Sequence, residues 1–263
     1  MRLWISTIMF LVSFNSESVL AQTQPPSDPQ ALSFAAQSIA ALTGGNAVSD
    51  VTLTGDVSYV AGSDVENGTF TLRAKGYAEG RVDLALSGGS YTDIQNNVGS
   101  QQGEHIATDG TITRWAWHNC WTDPAWFFPV LSSLSVPTNP NAVFAYVGTE
   151  MRNGVSVQHL TAYFYVTGAN SDVISLAQKA SSTDFYLDAA ALLPVAVVTK
   201  AHPDDDALTS IPVEIDFSNY QSISGIQVPL RIQKYLNGSL LLDLTVAGVS
   251  PNTGLSDVLF AIQ

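Results

Sequence analysis

A single cysteine, Cys120, stands in 263 residues, so no disulfide can close within the chain and its stability has to come from a core. Positive charge is nearly as scarce. Ten basic residues against 23 acidic ones give a formal net charge of −13, which argues against nucleic acid and against an anionic membrane surface as partners. The apolar runs are too short to cross a bilayer, which takes about 20 residues. No G-x-S-x-G elbow, H-E-x-x-H helix, phosphate loop, paired C-x-x-C or dinucleotide fingerprint occurs, so the common hydrolases, metalloproteases and nucleotide enzymes lose their signatures and no cofactor is implied. No linker-like stretch and no fixed-period repeat interrupts the chain, which predicts one domain over residues 22–263.

What is present begins with a targeting segment. Arg2, the apolar run Leu3 to Phe14 and the ending Val19-Leu20-Ala21 have the charged, apolar and small-residue regions of a signal peptide spanning residues 1–21. The mature protein is therefore expected to be exported, to the periplasm or beyond, with no transmembrane segment.

The chain is then organised around its C-terminal run. Val213, Ile215 and Phe217 alternate with polar residues. Ile226, Val228, Leu230 and Ile232 alternate with Gln227, Arg231 and Gln233, and after the turn Asn237-Gly238 the series resumes at Leu240, Leu242, Leu244 and Val246. Three antiparallel strands with one apolar face follow from that pattern. Upstream, Asp28 and Pro29 start a helix whose stripe is Leu32, Ala35, Ala36, Ile39 and Leu42, and Gly44-Gly45 stops it. Further strands are expected at 51–60, 69–75, 81–86, 91–95, 104–108, 111–118, 142–151, 155–166, 184–188 and 195–201, with a short helix over 172–180. The fold class is mainly β (α+β), about a dozen antiparallel strands and a few short helices.

Four of the five tryptophans fall between Trp115 and Trp126. The strand 111–118 would set Trp115 and Trp117 on one face, and Thr122-Asp123-Pro124 would open a short helix carrying Trp126, Phe127, Val130, Leu131 and Leu134, kinked by Pro129. Such a helix is either a lid over an apolar cavity or a packed core element. Those seven residues are the candidate ligand site.

The segments Asp184 to Asp188, Leu193-Pro194-Val195, Val213 to Tyr220, Gly225 to Pro229 and the ending Asn252 to Phe260 together resemble the C-terminal half of LolA-like lipoprotein carriers and their sorting-protein relatives. The resemblance implies a large half-open antiparallel β-barrel wrapped round helices, a cavity for acyl chains, and no catalytic residues. None of the arginines aligns with the arginine that locks that family's lid.

Several residue groups invite chemistry and have plainer readings. His118, Cys120 and Asp123 offer three donors where a closed soft-metal site needs four, so a buried thiol is expected and no metal. His202 to Asp206 lacks the alternating ligands of a calcium loop and reads as a solvated tip. Asp184, Asp188, Glu214 and Asp216 read as the outer face of the sheet rather than an acid/base pair, and His105 and His159 lie in strand-like runs with no evident partner. Two classes remain: an exported, non-enzymatic binding module for a lipid or acylated ligand, and an interaction protein with a filled core that meets another envelope protein. A hydrolase is a weaker third.

Overall fold

The computed structural model describes residues 23–137 and 139–263. The segment expected to direct export, 1–21, lies outside the described residues. Helix α1 (Pro29–Thr43) is capped as its sequence dictates: the Asp28 carboxylate accepts from the Gln30 amide at 2.7 Å, Pro29 fills the first turn, and Gly44 closes the helix at φ 58°. Its buried stripe is rotated from expectation. Ala31, Ala35, Ser38 and Leu42 face the sheet, Leu32 and Ile39 flank them, and Ala36 is exposed. The small side chains Ala31, Ala35 and Ser38, spaced by four and three, let the helix lie close to the strands.

Thirteen strands make one antiparallel sheet. The first meander is β1 (Asp50–Ala61), β2 (Asp64–Lys75), β3 (Glu79–Leu86), β4 (Gly89–Asn96), β5 (Gln102–Ile106) and β6 (Ile112–Arg114). The second is β7 (Ala142–Arg152), β8 (Val155–Phe164), β9 (Thr183–Asp188), β10 (Pro194–Ala201), β11 (Ile211–Ile223), β12 (Ile226–Leu236) and β13 (Ser239–Pro251), with helix α2 (Ser171–Ser181) between β8 and β9. The meanders join where β1 pairs with β13, so β6 and β7 are the two free edges and the sheet is half-open rather than closed. Those edges are neighbours in sequence. The connection between them, residues 115–141, has to cross the mouth of the curled sheet.

The C-terminal strands follow the alternation. Ile226, Val228, Ile232, Leu242, Leu244 and Val246 are buried, Leu230 is half-buried against the same core, and Asn237-Gly238 turns at φ 50° and 78°, as a two-residue type I′ hairpin requires. The last residues cover the convex face of β3 to β5, where the Phe260 carbonyl accepts from Asn96 at 3.1 Å and Phe260 is fully buried.

Two expected elements are corrected. The strand expected over 111–118 stops at Arg114, because its partner β5 begins only at Gln102 and the ladder has nothing further to pair with; after a bond from the Trp115 amide to the Gly103 carbonyl (2.9 Å) the chain leaves the sheet. Trp115 and Trp117 therefore do not share a strand face. The helix expected after Pro124 is also absent: Pro129 excludes the helical region for Phe128, which sits at φ −136°, ψ 94°, and the segment folds instead as 3-10 turns at Pro129–Leu131 and Ser133–Ser135, following a third at Trp117–Trp121.

Candidate functional site

The crossing connection fits the sheet closely because two glycines make room. A side chain on Gly103 would lie 2.3 Å from the Trp115 ring, and one on Gly80 would lie 2.1 Å from the Pro124 carbonyl oxygen. Gln95 of β4 then pins the connection by donating to the carbonyls of Cys120 (3.0 Å) and Thr122 (2.7 Å). On the far side the loop after β10 is stapled to it, with Asn119 donating to the His202 carbonyl (2.8 Å) and accepting from its amide (2.9 Å).

Under this strap lies a cavity of about 290 Å³. Val82 of β3, Val197 of β10, Val213, Ile215 and Phe217 of β11, and the rings of Trp115 and Trp126 wall it. Strands far apart in the sheet order thus face one space, which only a strongly curled sheet allows. The wall is not wholly apolar. Asp93 of β4 reaches it, held at 2.8 Å by His105 Nδ1, and Lys234 of β12 enters from the opposite side with its ammonium 4.3 Å from the centre of the Trp126 ring. Burial lowers the Lys234 pKa, and the carboxylate of Asp93 partly offsets that effect. Beyond Thr122, Asp123 and Pro124, which form a shared partition, a second space of about 420 Å³ is bordered by Tyr77, Asn97, Trp121, Asn141 and Phe164.

The seven residues singled out from the sequence divide. Trp115 and Trp126 line the cavity. Phe127, Val130, Leu131 and Leu134 are buried in the main core with α1 and the inner strands, and Trp117 is 50% exposed, edge-on to Trp121 at 6.1 Å. Lys234 and Asp93, with His105 behind Asp93, belong to the polar part of the wall, and neither Lys234 nor Asp93 was singled out from the sequence. The signal for Lys234 was present: it continues the alternation of Ile226, Val228, Leu230 and Ile232, which puts a cation on the apolar face.

The groups with chemical potential are engaged structurally. Cys120 is buried with its thiol pushed up to about 11 by desolvation, and its sulfur meets the Ala116 carbonyl at 3.6 Å. Asp123 accepts from the Ser133 amide and hydroxyl, both at 3.0 Å, while burial pushes its carboxyl up to about 6. His118 Nε2 lies 3.0 Å from the Pro203 carbonyl. Asp206 caps the turn after it, accepting from the Leu208 amide at 2.8 Å and the Thr209 hydroxyl at 2.6 Å. On the outer face Glu214 pairs with Arg152 at 2.5 Å, and Asp188 accepts from the Ala190 and Ala191 amides. The two histidines that lacked an evident partner both have one, His105 with Asp93 and His159 with Asp184 at 3.2 Å. Both pairings are cross-strand, invisible without the register.

The curled half-open sheet strapped across its mouth defines the class: a LolA-like fold. No protein-family model matches the chain, and no curated protein matches it in sequence. Solved structures do match in shape. A putative outer membrane lipoprotein-sorting protein domain from Vibrio parahaemolyticus superposes with TM-score 0.56 at 14% identity, covering 88% of this chain and 96% of that one. A DUF1329 family protein from Desulfovibrio piger gives 0.57 at 11% identity, covering 90% and 98%. A LolA superfamily protein from Nitrosomonas europaea gives 0.56 at 9% identity, covering 88% and 97%. At such identities the likeness is one of fold.

Proposed function

We propose that this chain is a non-enzymatic carrier or sensor of the cell envelope, which holds the apolar chain of a lipid or acylated ligand under the strap 115–134 and acts as a single exported domain. The observation that carries the reading is the cavity itself: about 290 Å³, with Val82, Val197, Ile215, Phe217, Trp115 and Trp126 in its wall, just under the ~300–1,000 Å³ of ligand pockets. A space of that size suits one slender chain rather than several. Similarity in fold to a lipoprotein-sorting domain supports the same direction. No described helix is long and apolar enough to cross a membrane.

The test is native mass spectrometry with lipid extraction on the exported protein, followed by titration of delipidated protein with a long-chain amphiphile. A co-purified lipid and a saturable shift of tryptophan emission, with a melting temperature that rises with ligand, are the expected results. No co-purified lipid and no saturable binding of any long-chain amphiphile would leave the interior a filled scaffold and transfer the function to contact with another envelope protein.

A further inference from the structure

In a chain with few cations, what each cation does is informative. Each described arginine is paired with a carboxylate: Arg73 and Arg81 with Asp83, Arg114 with Glu104, Arg152 with Glu214, and Arg231 with Asp243. Lys75 is paired with Asp257, and Lys179 donates to the Leu208 carbonyl. Among the described residues Lys200 and Lys234 have neither kind of partner. Lys200 follows Thr199 on β10, so alternation turns it away from the face that carries Val197 and Ala201. Both lysines border the cavity, but Lys234 alone stands on the inner face, between Ile215 and Leu242 on the neighbouring strands, with its ammonium over the Trp126 ring.

An ammonium in that position is expensive. Desolvating a charge is costly unless an opposite charge and hydrogen bonds repay it, and a ring face at 4.3 Å returns only part of the cost. The carboxylate that influences it, Asp93, is hydrogen-bonded to His105 instead. All three ammonium hydrogens therefore remain to be used, beside a cavity whose β10 and β11 side is walled by Val197, Val213, Ile215 and Phe217.

We propose that Lys234 is the headgroup anchor of the cavity, so that the preferred ligand is a single-chain amphiphile with an anionic head, carboxylate or phosphate, whose chain lies along Val82, Val197, Ile215 and Phe217. This rests on the carrier reading and narrows it. Trp126 then has two roles, shielding the ammonium from water through its ring face and walling the start of the chain. The acidic surface repels free anions, and burial of the apolar chain supplies the attraction that overcomes it.

The experiment compares laurate, dodecyl phosphate and dodecanol, three twelve-carbon chains differing in their heads, by titration calorimetry below their micelle concentrations. Each is run on delipidated wild type, Lys234→Met and Lys234→Arg, with melting curves to establish folding. A charge-assisted hydrogen bond in a partly desolvated site corresponds to about tenfold in affinity. Expected is that wild type binds at least one anion about tenfold tighter than dodecanol, that Lys234→Met removes this preference while dodecanol binding changes little, and that Lys234→Arg retains much of it. Equal binding of all three by wild type, or a preference that survives in Lys234→Met, overturns the anchor and leaves the carrier standing. Absence of binding by any of the three removes both. Should Lys234→Met fail to fold, the ranking of the three heads by wild type and by Lys234→Gln decides.

Discussion

The strap between the two sheet edges consists of two stretches alike in composition and unlike in position. Residues 127–134 carry Phe127, Phe128, Val130, Leu131 and Leu134, all buried within the main core beside α1. Residues 115–126 carry four tryptophans, of which Trp115 and Trp126 border a cavity and Trp117 is half-exposed. The first stretch is a floor and the second a wall. Aromatic content alone does not separate these roles; what separates them is whether opposing side chains meet. In the first stretch the turns Pro129–Leu131 and Ser133–Ser135 pack directly on α1 and leave no gap. Opposite Trp126 there is Lys234, whose charge cannot be packed against aliphatic groups without cost.

The largest expected effect tests the floor. Phe127→Ala should destabilise the protein by about 3–5 kcal/mol, the usual cost of emptying a fully buried aromatic site, measured as a fall in urea midpoint with unchanged slope. A change below about 1 kcal/mol would mean that the floor is loosely packed and that the whole strap, not half of it, can open.

A smaller effect tests the partition where floor and wall meet. The Asp123 carboxyl is pushed up to about 6 by burial, above its unfolded value, so its contribution to stability is fully present below about pH 4 and is lost as pH rises through about 6. Asp123→Asn removes that titration. Acidifying from pH 7 to pH 4.5 should therefore stabilise the wild type relative to Asp123→Asn, by at most about 3 kcal/mol. Asp216 on the outer face, pushed to about 6 by burial and by Glu214, titrates in the same window in both proteins and cancels in the difference. Parallel pH profiles would show that the partition is wet and that the two cavities communicate through it.

The same division explains what could be read without coordinates. The hairpins were legible because period-2 alternation and Asn237-Gly238 are local signals, and the resemblance in the segments from Asp184 onward pointed to the fold that the solved structures share. The strap was legible in composition only. Its helical spacing was real, but Pro129 acts on the residue before it, and the alternation of Trp115 and Trp117 needs a partner strand that the five-residue β5 is too short to supply. The cavity was not legible, because it is made by strands distant in sequence that curl toward one another, and the pairs Asp93–His105 and His159–Asp184 depend on register. Lys234 was legible as an exception to its own strand's pattern.

The smallest expected effect bears on where the wall ends. Trp117 is half-exposed and touches its neighbours edge-on, with ring centres 6.1 Å from Trp121 and 6.2 Å from His118, and it does not border the cavity. Exposed side chains cost little when truncated, and an aromatic edge contact contributes about 0.5–1.5 kcal/mol when well formed, so Trp117→Ala should lower stability by about 1 kcal/mol or less. Its effect on laurate binding should be smaller still, within about twofold, because nothing it touches reaches the chain. Fluorescence supplies a second reading: with Trp117 removed, the remaining signal is weighted toward Trp115 and Trp126, and the ligand-dependent shift should become fractionally larger. A loss of affinity comparable to that of Lys234→Met would instead place Trp117 on the path by which ligand enters, and would make the outer face of the strap part of the site.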